Sequence, residues 1–140
     1  MYYFAYGANM NLKDMRRRCP NAQFIKRVFL EEYQFVYDFF GDDREGAVAD
    51  IIPSPGGRVW GALFLLDQAG LAALDDYEGY PRHYRRETFR VVDDAHKGYE
   101  AIAYFRVGLK TGKPSEDYHK AVIKGARDCG LPKAYIAKCL

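Results

Sequence analysis

YYFAYGANMN, residues Tyr2–Asn11, is the stretch whose reading decides the fold. Tyr2–Tyr6 is a short apolar run, too brief for a helix and rich in aromatic rings, so it predicts a buried strand. Gly7 breaks the run. Asn11, with Asp14 three residues later, predicts a helix start: an asparagine N-cap and a carboxylate at N3. A strand that turns through Gly7-Ala8-Asn9 into a helix aims several backbone N–H groups at one spot. Such a turn can cradle an oxyanion or a carboxylate. Ordinary strand-to-helix turns share the pattern, so the turn alone identifies no function.

Outward from this turn, Asn11–Arg18 reads as a short helix stopped by Pro20, its last turn carrying Arg16, Arg17 and Arg18. Cations suit a helix C-terminus, and three arginines with no basic surface to extend them read as a solvated face rather than a nucleic-acid contact. Gln23–Phe40 predicts two strands bent near Glu31-Glu32, followed by a polar loop over Gly41–Gly46. Ala47–Ile52 and Val59–Leu66 predict two more strands, separated by a tight turn at Pro53–Gly57. Gly61, inside the second of these, marks a bend or a close backbone approach. Asp67 caps a helix running to about Tyr77, with Leu71 and Leu74 on its inner face. Tyr84–Val92 alternates as a strand should, Asp93–Gly98 turns, and Tyr99–Val107 is a further strand. Ser115 caps a last long helix ended by Gly130, and Leu131-Pro132 opens a short closing one. The expectation is one α+β domain over residues 1–140: a small, mixed, mainly antiparallel β-barrel of about six strands with flanking helices.

Composition sets the class. Of 140 residues, 49% are apolar and 29% charged, as in a globular protein. With no long apolar run and no leader-like segment, neither a membrane nor a secretory route is expected. Cys19, Cys129 and Cys139 form no CxxC pair, which predicts reduced thiols and a cytoplasmic setting. The balance of 21 basic and 19 acidic residues predicts no nucleic-acid partner. Twelve tyrosines suit both a pleated sheet and a pocket for a partly polar ligand.

A second focus is Asp75-Asp76-Tyr77-Glu78-Gly79-Tyr80. Three carboxylates gather where the helix dipole disfavours them. Gly79 serves as a left-handed C-cap, but a cap does not explain the acids. Asp75 and Asp76 read as solvated. Glu78, fixed against the capping glycine and flanked by Tyr77 and Tyr80, is the one placed inside, its pKa raised by burial and by the neighbouring acids. His83, His96 and His119 lack metal-ligand spacing, so no metal is expected. No GxSxG, P-loop or GxGxxG motif is present.

YFAYGANM at Tyr3–Met10, ADIIPSPGGRVWGALF at Ala49–Phe64, LDDYEG at Leu74–Gly79 and PSEDYHKAVIKGARDCGLPKAY at Pro114–Tyr135 together resemble the γ-glutamylcyclotransferase family, with its AIG2-like fold. The resemblance spans nearly the whole chain in the family's order. It implies a small mixed barrel and a cofactor-free enzyme that releases 5-oxoproline from γ-glutamyl amides. It further implies Glu78 as the catalytic acid/base, and substrate binding by Tyr3, Phe4 and Ala5, by the loop Tyr6-Gly7-Ala8-Asn9, and by Tyr84, Tyr104 and Tyr118. Two departures stand out: Ala8 replaces the family's usual serine, and Tyr80-Pro81-Arg82-His83 replaces a more neutral stretch. The partner implied is a small γ-glutamyl substrate; a homodimer is left open. Three readings of function remain at this point: a general cyclotransferase, one specialised for γ-glutamyl amines or a biosynthetic γ-glutamyl amide, and a catalytically silent binding module for an amino-acid-like ligand. Glutathione is less favoured as the substrate, because the motifs resemble the family's general branch.

Overall fold

A computed structural model describes residues 1–39, 46–107 and 110–140, so the loop expected at Gly41–Gly46 lies, but for Gly46, outside the described residues. Among the described residues five strands are formed: β1 (Tyr2–Ala5), β2 (Gln23–Asp38), β3 (Val48–Leu65), β4 (Arg85–Val92) and β5 (Gly98–Phe105). They close into a barrel in the order β1-β3-β2-β4-β5. β5 returns to β1 as a parallel neighbour, and the other pairs are antiparallel. Among the described residues four α-helices flank it: α1 (Leu12–Arg18), α2 (Gln68–Glu78), α3 (Glu116–Asp128) and α4 (Lys133–Cys139).

The strand count corrects the sequence expectation, which split two long strands at their irregularities. β2 runs unbroken through Glu31-Glu32, where Glu32 takes a positive φ of 68°. Across from it, Glu31 pairs with Arg58 and Tyr33 with Pro53, so residues 54–57 of β3 face Glu32 alone. Residues 54–57 are therefore a bulge inside β3 and not a hairpin turn. Bulged residues need no ladder partner, so Pro55 fits where a central strand would reject it, and Pro53 stands at the edge of the bulge. The Glu32 carboxylate fills the gap by accepting the Gly56 N–H at 2.9 Å. A true bend would have left two short hairpins; the bulge keeps one wide ribbon, long enough to wrap the barrel.

Alternation along each strand sorts the core into two layers. Phe4, Val28, Ile51, Val59, Leu63 and Val91 are buried together and fill the barrel. The opposite faces, with Tyr3, Ala5, Ala62 and Phe64, pack against Met10, Met15, Leu74, Val122 and Ala126 from the helical side. Burying an aliphatic side chain such as Leu74 contributes about 1.5–3 kcal/mol. Gly61 proves to be a close approach: a Cβ there would stand 2.4 Å from the Ala5 carbonyl oxygen, in the path of β1.

The helix signals place the ends that matter. Asn11 Oδ1 accepts the Asp14 N–H at 3.2 Å, Asp67 Oδ1 that of Gly70 at 2.7 Å, and Ser115 Oγ that of Tyr118 at 3.2 Å. α2 ends on Gly79, left-handed at φ 67°. Between β1 and α1 the chain makes a single 3-10 turn over Ala8–Met10. α3 lies directly on that turn, because a Cβ at Gly125 would stand only 2.4 Å from Asn11 N.

Candidate active site

Three chain ends converge on one cavity of about 490 Å³: the turn after β1, the C-terminal end of α2 and the first turn of α3. Its wall includes Tyr6, Gly7, Ala8 and Asn9 from the turn, Val48 and Ala49 from β3, and Asp76, Tyr77, Glu78 and Gly79 from α2. Tyr3, His83, Tyr84, Tyr104, Ser115 and Tyr118 complete much of the rest.

The turn is shaped by Gly7. A Cβ on Gly7 would stand 2.5 Å from the Ala49 Cβ, so a glycine is what lets the turn lie against β3. The 3-10 bonds use the carbonyls of Gly7 and Ala8, accepting from Met10 and Asn11 at 3.0 Å each. Among the described residues, the N–H groups of Gly7, Ala8 and Asn9 have no protein acceptor. Three donors beside a cavity make a nest for a negatively charged or carbonyl oxygen.

Asn9 is buried, and its side chain is the hub. Its Nδ2 donates to Tyr3 Oη at 2.9 Å and reaches Glu78 Oε1 at 3.4 Å, while its Oδ1 accepts from Arg18 Nη1 at 2.7 Å. Glu78 is the last residue of α2 and is held there by the Gly79 cap. Burial raises its carboxyl from the ordinary 4.5 to about 7, against the opposing pull of the Arg18 charge. A carboxyl poised there can take and return a proton near neutrality.

The tyrosines close the wall. Tyr118 Oη accepts the Ala49 N–H at 2.9 Å, and Tyr84 Oη donates to the Ala49 carbonyl at 3.2 Å. Tyr6 Oη donates to the Tyr104 carbonyl at 2.5 Å. Burial pushes the Tyr3, Tyr84, Tyr104 and Tyr118 hydroxyls well above their ordinary range, so they stay neutral and serve as hydrogen-bonding groups.

Of the residues expected at the site, Glu78, Tyr3, Tyr6, Gly7, Ala8, Asn9, Tyr84, Tyr104 and Tyr118 all line the cavity. Phe4 and Ala5 do not. Strand alternation turns Phe4 into the barrel, fully buried, and Ala5 into the layer beneath the helices. Three further expectations are corrected. Arg18 is not part of a solvated face, since it bonds Asn9 and lies over the Tyr77 ring at 3.7 Å. Asp75 is not solvated either: it accepts from Tyr104 Oη at 2.6 Å and pairs with Arg86. The neighbouring acids are thus not what raises the Glu78 pKa; burial is. Sequence reasoning also passed over Val48, Ala49, His83 and Ser115. His83 alone carried a signal, lying in the stretch that departs from the family pattern.

Among the described residues, no three His, Cys, Asp or Glu side chains are grouped to hold a metal ion. No helix among them is long and apolar enough to cross a membrane.

Comparison with known proteins agrees with this geometry. Residues 58–139 match the AIG2-like family. The chain is 30% identical over 141 residues to a γ-glutamylcyclotransferase of Mus musculus, an alignment covering 97% of this chain and 75% of the relative. It is 29% identical over 144 residues to the γ-glutamylcyclotransferase of Homo sapiens, with the same coverage. In three dimensions it is similar to a solved γ-glutamyl cyclotransferase, with a TM-score of 0.93 at 27% identity over 99% of this chain and 85% of the other. An uncharacterized Homo sapiens protein superposes with a TM-score of 0.91 at 29% identity, again over 99% and 85%. The chain belongs to the AIG2-like, γ-glutamylcyclotransferase family.

Proposed function

We propose that the chain performs the reaction for which its relatives are named, cyclising a γ-glutamyl amide to 5-oxoproline and releasing an amino acid or amine. The observation that carries this reading is the Asn9–Glu78 contact at 3.4 Å, which sets a carboxyl of pKa about 7 beside the donor-rich turn. The substrate brings its own nucleophile. Its α-amine closes a five-membered ring on the γ-carbonyl, and well-oriented intramolecular attack is worth about 7–11 kcal/mol. No Ser or Cys nucleophile is then needed.

Each remaining task has a residue. The Glu78 carboxylate takes a proton from the α-ammonium, and a carboxyl raised from 4.5 to about 7 is a far closer match to that amine than an ordinary glutamate. The new C–N bond forms at the carbonyl carbon of the γ-glutamyl amide, and the carbonyl oxygen gathers negative charge within reach of the N–H groups of Gly7, Ala8 and Asn9. Glu78 then returns the proton to the amide nitrogen as the old C–N bond breaks, and the carboxylate so regenerated takes the second proton from the ring nitrogen and passes it to the departing amine. No water is consumed. Tyr3 and Tyr118, whose hydroxyl oxygens accept from Asn9 and Ala49 and so keep their protons to donate, hold the glutamyl carboxylate, and the tyrosine rings exclude solvent. Ala8 supports the scheme, because its contribution is a backbone N–H and needs no serine hydroxyl. Three unpaired cysteines, two of them buried, support a cytoplasmic setting.

The test is release of 5-oxoproline from a panel of γ-glutamyl amino acids, γ-glutamyl amines and glutathione. Turnover of at least one γ-glutamyl amide is expected. A folded protein that binds these compounds without releasing 5-oxoproline is a binding module instead.

A further inference from the structure

The last residue of α1 reaches further into the site than its position suggests. We infer that Arg18 is a positioning residue: it fixes the Asn9 amide with its NH2 group toward Glu78 and presents a positive charge to that carboxylate. This inference rests on the function proposed for the site.

A carboxamide offers an acceptor at one end and donors at the other, and its neighbours decide which end points where. A guanidinium can only donate, so the Asn9 Oδ1 that receives Arg18 Nη1 at 2.7 Å has its orientation decided by Arg18. The NH2 end is thereby turned to Tyr3 Oη at 2.9 Å and Glu78 Oε1 at 3.4 Å. Turned over, the amide would set donors against the guanidinium and an oxygen against the carboxylate, two unfavourable contacts at once. The guanidinium itself lies over the ring of Tyr77, the residue before Glu78 on α2, 3.7 Å from its centroid. Arg18 therefore joins the turn after β1, α1 and the end of α2 at one point. Its two neighbours in the basic run do no such thing: Arg16 and Arg17 are exposed, and Arg17 pairs with Asp14 on its own helix.

The charge matters because little else near Glu78 carries one of the right sign. Tyr3 from β1, Tyr84, Tyr104 from β5 and Tyr118 from α3 are kept neutral by burial. On α2, Tyr77 is likewise kept from ionising by burial and Asp76 adds a negative charge at the rim, while Asp75 is paired with Arg86. His83 lines the same cavity from the segment after α2. Arg18 is the cation that opposes burial at Glu78.

The experiment compares wild type, Arg18→Lys and Arg18→Met by two readouts: the titration of the Glu78 carboxyl carbon by NMR, assigned with Glu78→Gln, and kcat and KM for 5-oxoproline release across pH. Loss of the opposite charge that Asn9 bridges to Glu78 should tighten proton binding by Glu78 about tenfold in Arg18→Met. Its kcat should fall about tenfold or more, with KM changed little. Arg18→Lys restores the charge but not the planar fork, so its Glu78 midpoint should stay near wild type while kcat still falls. An Arg18→Met protein whose Glu78 midpoint and kcat both stay within twofold of wild type overturns the inference. Should Arg18→Met fail to fold, an Arg18→Lys protein with wild-type kcat overturns it. If wild type itself releases no 5-oxoproline, the proposed function fails, and the NMR titration alone decides on Arg18: a moved midpoint supports it and an unmoved one overturns it.

Discussion

Tyr104 Oη donates to Asp75 Oδ1 at 2.6 Å, tying β5 to the last turn of α2. Arg86 of β4 pairs with the other oxygen of the same carboxylate. The acid that looks misplaced at a helix C-terminus is thus matched from the sheet, and the match fixes the helix end that carries Glu78. Because the Tyr104 carbonyl also accepts from Tyr6 Oη, one residue links the barrel mouth to the candidate acid/base.

Tyr104→Phe should therefore cost stability and leave the ring packing in place. Losing a hydrogen bond to a charged acceptor costs about 1.5–3 kcal/mol. We expect a matching drop in urea-unfolding free energy and a fall in kcat smaller than that of Glu78→Gln. Unchanged stability would mean that Arg86 alone holds Asp75.

Ala8→Ser should be nearly neutral and Ala8→Pro close to inactive. Residue 8 opens the 3-10 turn, where proline is sterically acceptable, so the substitution chiefly deletes one N–H. Loss of one oxyanion donor lowers kcat about 10²–10³-fold. Kinetics of the two variants, with circular dichroism to confirm folding, check this; a folded Ala8→Pro protein with normal kcat would remove Ala8 from the oxyanion site.

Local chemistry was legible in the sequence. Asn11, Asp67, Ser115 and Gly79 act at helix ends as their side chains, or the lack of one, dictate. The strand-turn-helix of residues 2–18 and the placing of Glu78 inside were readable for the same reason. What could not be read was set by contacts between distant segments. A Pro-Gly-rich stretch looks the same in a turn and in a bulge, and only the pairing of Glu31 with Arg58 and Tyr33 with Pro53 separates them. An arginine at a helix end reads as solvated until another helix crosses it; Arg18 lies 59 and 60 positions before Tyr77 and Glu78 in the chain. Phe4 and Ala5 were drawn into the site by a family motif, although alternation along β1 turns them elsewhere.

Gly125→Ala should test how firmly α3 holds the turn. The added methyl would stand 2.4 Å from the backbone of Met10 and Asn11, where no flexible side chain can yield. Such overpacking costs about 1–3 kcal/mol. The strain falls on the turn that presents Asn9, so kcat should drop along with the melting temperature. A variant that melts earlier but keeps full kcat would show that the turn is positioned by β1 and α1 without α3.

Glu78→Gln separates catalysis from stability. Glutamine keeps the shape but cannot accept a proton, so kcat should fall about 10²–10⁴-fold, the usual worth of a positioned general base. Wild-type kcat/KM should rise with pH through about 7 as the carboxylate forms. Stability should move the other way. The folded carboxyl holds its proton to about 7, whereas the ordinary value is 4.5, so between these pH values the folded state binds more protons than the unfolded one. Stability from this group is then greatest below 4.5, declines as pH rises toward 7, and stays diminished above it. The full difference is at most about 3 kcal/mol, and the partial opening of Glu78 to the cavity reduces it. Glu78→Gln cannot ionise and escapes this loss. It should melt above wild type at pH 8 and close to it at pH 4, a comparison that needs only melting curves at the two pH values. Equal melting at pH 8, together with wild-type turnover, would mean that Glu78 is neither destabilised by its surroundings nor the carrier of the proton.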